Sequence, residues 1–276
     1  MHPRLTPTNG RVAHVSLRGE VDAELFTEGH QTQIAAPVAD LLRKPDGGLD
    51  KQLLHGADFL VLEPDIGTGY VFGQSSSDGY VGYLSTGVLE EPSDKTHKVS
   101  ALATHIYKTP DIKSRVRAAL PFGAGVSVRQ TEKTFHELRG GGFIPAQHLV
   151  ATHQNADDFI AVFERFMGVP YLWGGNSTWG MDCSGAVQLA LEAAGNACPR
   201  DTDMQQADLG TLLPEDAALL RGDLVFWNGH VGVMQDSETL LHANAHHMAV
   251  ASEPLVPAVK RILKNGGGPI TARKRL

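Results

Sequence analysis

Residues 171–185 of this chain read Tyr-Leu-Trp-Gly-Gly-Asn-Ser-Thr-Trp-Gly-Met-Asp-Cys-Ser-Gly, an aromatic, glycine-rich loop that runs straight into a helical pattern. The spacing predicts a helix from about Cys183 through Val187, Leu189 and Leu191 to Gly195. Asp182 suits its N-cap, where a short acidic side chain accepts from the free backbone N–H groups. Gly195 suits the left-handed residue that closes a helix. Cys183 then stands at the positive end of the helix dipole, an environment that favours the thiolate. The same free N–H groups are suited to an oxyanion in acyl transfer. A single cysteine of this kind is more often structural than catalytic, so its partners must decide.

A cysteine nucleophile needs a base, and the base needs an orienting group. There are 13 histidines to choose from. His97, His105, His136, His148 and His153 have no special context, and His246 and His247 follow a strand. His230 is different. After Pro214 the pattern turns to strands: Asp223–Trp227, the two-residue turn Asn228-Gly229, then His230–Met234. Such a turn favours a hairpin, because both residues tolerate positive φ. His230 thus begins an apolar strand at the sheet rim, and His242 lies mid-strand in Thr239–Asn244. A three-residue connection around Gln235-Asp236-Ser237 places the two histidines opposite each other on one face; a two-residue loop separates them. His230 is the candidate base and His242 its orienter. A zinc site built from His230, His242, His246 and His247 is disfavoured, since no Cys-x-x-Cys or His-Glu-x-x-His spacing is present. Neither metal nor cofactor is expected.

Composition narrows the classes. A net charge of −7 argues against a dominant nucleic-acid role. No apolar run approaches the roughly 18 residues of a membrane span. Met1-His-Pro-Arg-Leu-Thr-Pro lacks the apolar core of a secretory leader, which gives a cytoplasmic expectation, or a periplasmic one if a leader has been removed. The two cysteines flank the predicted helix, so no disulfide is expected and Cys198 is read as a buried or loop thiol.

The N-terminal half reads as β structure. Residues 1–33 form an extension. From 34 to 92, strands at Val38–Leu42, Gln52–Leu54, Phe59–Glu63, Tyr70–Gly73 and Gly79–Leu84 predict a small closed barrel. Residues 97–150 repeat the plan. Thr104–Asp111 echoes Leu41–Asp46, Ala119–Ala124 echoes Leu53–Ala57, and Gly142-Phe-Ile-Pro-Ala echoes Gly79-Tyr-Val-Gly-Tyr. Ordered landmarks of this kind indicate two copies of one module. Residues 151–276 form the last domain. Asn155–Asp158 caps a helix whose stripe, Phe159, Val162, Phe163, Phe166 and Met167, is core packing. Asp203–Leu209 is a further short helix, and the sheet follows, which makes an α+β domain.

Tyr171-Leu-Trp-Gly-Gly, Asp182-Cys-Ser-Gly, Pro199-Arg-Asp201, Arg221-Gly-Asp-Leu-Val-Phe-Trp and Gly229-His-Val-Gly-Val together resemble the NlpC/P60 cysteine peptidases over about residues 155–262. The two preceding modules resemble bacterial SH3-like domains. The resemblance implies a multidomain chain of two all-β barrels and a papain-like α+β domain. It implies an endopeptidase that cuts γ-D-glutamyl–diamino acid bonds in cell-wall (murein) peptides, with Cys183 as nucleophile, His230 as base and His242 as orienter. Tyr171 lies beside the nucleophile in such enzymes, Asp201 resembles an acid that binds the amine of an N-terminal L-alanine, and Tyr80 matches a tyrosine lining the site. Asp182 and Ser184, flanking the nucleophile, join them as substrate-binding candidates. Members without a leader resemble cytoplasmic recycling enzymes.

One departure stands out. Relatives often carry a Gly-Glu pair in the first module whose acid faces the substrate amine; here the pair is Gly56-Ala57. Two other classes stay open at this stage: a peptidoglycan-binding protein with a degenerate catalytic domain, and an amidase or transferase using the same triad.

Overall fold

Residues 2–276 are described by a computed structural model, in which they divide into two units, 2–154 and 155–276. The regular elements of the first unit are strands and three short 3-10 turns. An N-terminal arm carries β1 (Val12–His14) and β2 (Leu25–Thr27). Next come β3 (His30–Ile34), β4 (Val38–Leu42), β5 (Leu49–Leu54), β6 (Asp58–Glu63), β7 (Tyr70–Ser75), β8 (Val81–Ser85) and β9 (Leu89–Glu90). The remainder holds β10 (His97–Val99), β11 (Ala103–Tyr107), β12 (Val116–Pro121), β13 (Gly125–Val126), β14 (Val128–Thr131), β15 (Phe135–Leu138), β16 (Phe143–Pro145) and β17 (Leu149–Ala151).

Seven strands, two more than the sequence pattern suggests, form the first sheet in the order β5-β4-β8-β7-β6-β3-β9. The extension therefore ends earlier than expected, because His30–Gln33 pair with β6. The rest of the arm lies on this sheet: Val12 packs with Leu62 and Phe72, and Arg11 forms an ion pair with Glu63. In the second module the strand equivalent to β6 is broken at Ser127, which gives β12-β11-β16-β15-β14 and β13-β10-β17. The strand order is otherwise the same. The modules even share a bulge, at Leu41/Leu42 and at Ile106/Tyr107.

Register corrects one of the three landmarks. Leu42 pairs with Tyr83 and Tyr107 with Phe143, so Gly142-Phe-Ile corresponds to Gly82-Tyr-Leu, three residues on from Gly79-Tyr-Val. The reason is steric. A Cβ on Gly82 would meet Leu41 Cγ at 2.8 Å, and one on Gly142 would meet Ile106 Cγ2 at 2.5 Å. Each glycine lets the strand pass the same bulge.

The second unit contains α1 (Phe159–Glu164), β18 (Asn176–Ser177), β19 (Gly180–Met181), α2 (Cys183–Ala193), α3 (Thr202–Asp208) and β20 (Thr211–Leu212). These are followed by β21 (Leu224–Trp227), β22 (His230–Met234), β23 (Thr239–Asn244), β24 (Ala249–Pro254), α4 (Leu255–Lys264) and β25 (Ala272–Arg275). The unit begins later than residue 151, because Ala151 still pairs with His97. Its sheet is antiparallel, in the order β20-β25-β21-β22-β23-β24. Helix α2 is buried from Cys183 to Leu191 and packs on β22 and β23. A helix apolar on every side belongs in the centre of a domain. Val225, Trp227, Met234 and Leu240 meet Leu255 and Ala258 of α4. The phenylalanine stripe holds except at its end: Phe163 and Phe166 are fully buried, whereas Met167 is exposed beyond the helix.

Candidate active site

The start of α2 is built as its residues suggest, and more rigidly. Asp182 is the N-cap: its Oδ1 accepts from Gly185 N–H at 2.7 Å, and its Oδ2 accepts from Gly174 N–H at 2.9 Å. Gly195 follows the last turn at φ +82°. Gly185 is required by crowding, since a Cβ there would lie 2.3 Å from the Gly175 carbonyl oxygen.

Arg200 completes this corner. It is buried beneath the helix start, donating to both Asp182 oxygens at 2.9 and 2.7 Å and to Ser184 Oγ at 2.8 Å. Asp182 and Ser184 are thus buried and engaged with Arg200. They brace the turn at Cys183 and direct polar atoms to Arg200, where the sequence suggests substrate contacts. A buried guanidinium of this kind is tolerable only when paired and hydrogen-bonded.

Cys183 is buried, and neither it nor the buried Cys198 forms a disulfide. The Sγ of Cys183 sits 3.8 Å from Thr202 Oγ1, and the backbone N–H of Val231 faces it. Burial, helped by the Asp182 charge, pushes the thiol up to about 11. Desolvation thus opposes the thiolate that the helix terminus favours. Tyr171, half-buried, feels the same surroundings: burial and the adjacent Cys183 hold its phenol above the usual tyrosine range.

His230 opens β22, next to Val231. The hairpin before it closes through Asn228-Gly229, but only Gly229 adopts positive φ, at +73°. That is the requirement of a type II turn and not of the mirror-image turn. Strands β22 and β23 pair with Val233 opposite Leu241 and Met234 opposite Leu240. The loop has three residues but lies one position later than expected, at Asp236–Glu238, with Gln235 N–H donating to the Thr239 carbonyl. His230 and His242 are consequently diagonal neighbours on one face instead of direct partners. His230 Nε2 lies 2.8 Å from His242 Nδ1. Burial pushes the His230 imidazole down to about 3, with His242 adding to the shift, and burial likewise lowers His242.

The bonded series continues. His242 Nε2 is 2.8 Å from Glu253 Oε1, and Glu253 is clamped by both terminal nitrogens of Arg261. Neither residue was reached from the sequence. Pro254 and Pro257 read as breakers and hide α4, although Pro257 sits in its first turn, where proline is tolerated. Arg200 and Thr202 flank Asp201, which lies half-buried at the N-cap position of α3 without a side-chain capping bond. Tyr80 belongs to the first unit, where it is buried. In the first module Asp58 accepts from Gln33 and pairs with Lys95. Among the described residues no cluster of metal-ligating side chains is present, and no helix is long and apolar enough to cross a membrane.

Chemically, this is a neutral thiol at a helix start beside a backbone N–H, together with a desolvated imidazole whose Nε2 is bound, leaving Nδ1 for proton exchange. Such a set suits acyl transfer to sulfur.

Comparison with known proteins agrees. Residues 168–261 match the NlpC/P60 family, and residues 41–89 match the bacterial dipeptidyl-peptidase SH3 domain. The chain is 27% identical over 233 residues to a γ-D-glutamyl-L-lysine dipeptidyl-peptidase of Bacillus cereus, covering 73% of this chain and 64% of that protein. It is 38% identical over 96 residues to the Bacillus subtilis protein of the same name, covering 32% of each. The chain thus spans less than two thirds of either relative. In fold it is similar to the crystal structure of an NlpC/P60 family protein from Bacillus cereus, with a TM-score of 0.73, 18% identity, and coverage of 89% of this chain and 99% of that one.

Proposed function

We propose that the chain hydrolyses the amide between γ-D-glutamate and a diamino acid in murein peptides, a reading supported by the match of residues 168–261 to the NlpC/P60 family and of residues 41–89 to a bacterial dipeptidyl-peptidase SH3 domain. The observation that carries this reading is the 2.8 Å bond from His230 to His242, on the two strands against which the cysteine helix packs. The names of the two Bacillus relatives support the γ-D-glutamyl bond as the point of cleavage.

Attack begins from neutral partners. His230 Nδ1 takes the Cys183 proton as sulfur reaches the carbonyl carbon, so the ion pair forms on the reaction path and not beforehand. Cys183 N–H, in the first helical turn, has no intrahelical acceptor and can hold the oxyanion. Losing an oxyanion donor costs roughly 3–4 kcal/mol of barrier in comparable enzymes. The imidazolium then protonates the leaving amine, and water releases the acyl group with His230 again as base. Asp201 is the acid we assign to a free N-terminal amine. A cytoplasmic role in trimming freed peptides is part of the same proposal.

The test is incubation with L-Ala-γ-D-Glu-diaminopimelate, followed by mass spectrometry. The expected products are L-Ala-D-Glu and the free diamino acid, with no turnover by Cys183→Ala and much slower turnover when the alanine amine is acetylated. Cleavage at another amide, or equal rates for both peptides, would overturn the bond or the amine assignment respectively.

A further inference from the structure

The bond from His230 to His242 fixes a distance but not a direction of donation. Either ring can carry its proton on Nδ1 or Nε2, and only one arrangement makes His230 a base toward Cys183. The answer lies at the far end of the series. An ionised carboxylate accepts hydrogen bonds and donates none. Glu253 is kept ionised: burial opposes it, but bonds from Arg261 and His242 hold its carboxyl below the usual range. His242 Nε2, 2.8 Å away, must then carry a proton. Burial keeps the His242 ring neutral, so its Nδ1 is a bare acceptor. His230 Nε2, 2.8 Å from that Nδ1, must donate. A neutral His230 is then left with a bare Nδ1.

We propose that Glu253, clamped by Arg261, is the positioning residue that sets the tautomers of both His242 and His230 and thereby leaves Nδ1 of His230 free to receive a proton. This rests on the reading of Cys183, His230 and His242 as the reacting group. The charged and titratable groups around the carboxylate are few. Arg261 comes from α4, His242 from β23, and His247 Nδ1 stands 3.9 Å off, itself held by Asn244 Oδ1 at 3.0 Å. Register brings the series together: His242 is opposite Ala251 and Leu240 opposite Glu253, so His242 and Glu253 share one sheet face. Gly232 clears the space, since a Cβ there would come 3.2 Å from His242 Cβ.

The full chain labelled with ¹⁵N-histidine answers this by NMR at neutral pH, with His230→Asn and His242→Asn used to identify the two rings. The expected spectrum shows both rings neutral with the proton on Nε2. In Glu253→Ala the His242 ring becomes a mixture of tautomers, and kcat on the murein tripeptide falls roughly 10–100-fold with little change in KM, by analogy with the loss of an outer hydrogen-bond partner of a metal-bound histidine. Glu253→Asp, which keeps the carboxylate, recovers part of that loss. A wild-type ring protonated on Nδ1, or tautomers unchanged in a folded Glu253→Ala chain, would overturn the proposal. If Glu253→Ala does not fold, the wild-type spectrum alone decides. Both rings in the stated tautomers in a chain that cuts no peptide would support the relay and overturn the substrate assignment instead.

Discussion

His230 and His242 are joined at 2.8 Å by a diagonal contact across two antiparallel strands, not by direct pairing. A diagonal pair keeps both rings on one face, and the longer separation leaves room for a straight bond between ring nitrogens. His242 is fully buried and His230 partly so, and several of the site's properties follow from that.

The resting site is neutral, with the thiol pushed up to about 11 and the imidazole down to about 3. Alkylation of Cys183 by iodoacetamide is therefore expected to keep accelerating from pH 7 to pH 9, as the thiolate fraction grows. Cys183→Ala gives the background. A rate that levels off at or below neutral pH would indicate a preformed ion pair and contradict this.

Stability should respond to acid through the same histidine. The folded-state value for His230 lies below the ordinary 6.5, so the unfolded chain binds the extra proton between pH 6.5 and about 3. Stability from this group is present above pH 6.5 and is lost as pH falls toward 3. Urea unfolding of wild type and His230→Asn should show the variant losing less stability over that interval. Parallel losses would exclude His230 as a source.

Breaking the Asp182–Arg200 pair is expected to be costly. Asp182→Ala strands a buried guanidinium and removes the α2 cap, a loss of about 3–5 kcal/mol by analogy with other buried pairs. Asp182→Ala combined with Arg200→Met should cost less than the sum of the two single changes. Additive losses in urea unfolding would show that the pair is not coupled.

Two glycines separate crowding from backbone strain. Gly185→Ala drives a methyl toward the Gly175 carbonyl and should cost about 1–3 kcal/mol, with lower activity because Cys183 moves. Gly229→Ala meets no atom within 4 Å but must hold φ +73°. Its cost should be about 1–2 kcal/mol, from the left-handed conformation alone. Melting curves and turnover of the two variants, compared side by side, test the distinction.

Much of the site was readable from local signals. Asp182, Cys183 and Gly195 mark a helix by its cap, its apolar run and its closing glycine, all properties of adjacent residues. The hairpin at Asn228-Gly229 is local too. The repeat in the N-terminal half showed through its glycines at 56 and 123, whose φ values are +79° and +85°. The third landmark slipped by three residues because Gly79 and Gly82 look alike in sequence, and only the bulge beside Leu41 tells them apart.

What the sequence determined by itself, then, was the set of elements and where they place chemically capable residues: a cysteine at a helix start, histidines on an adjacent hairpin, and small β modules before them. These follow from periodicity, capping and turn chemistry, which act over a few residues. Tertiary structure decided the rest. It decided that the thiol and imidazole rest uncharged, because burial is a property of everything packed around them. It decided the diagonal register, because a loop shifted by one residue shifts every partner. It brought Arg200 to Asp182, and Arg261 to Glu253 and so to His242, because a buried charge requires a partner wherever the chain can supply one, and the partner for Glu253 comes from a helix hidden behind two prolines.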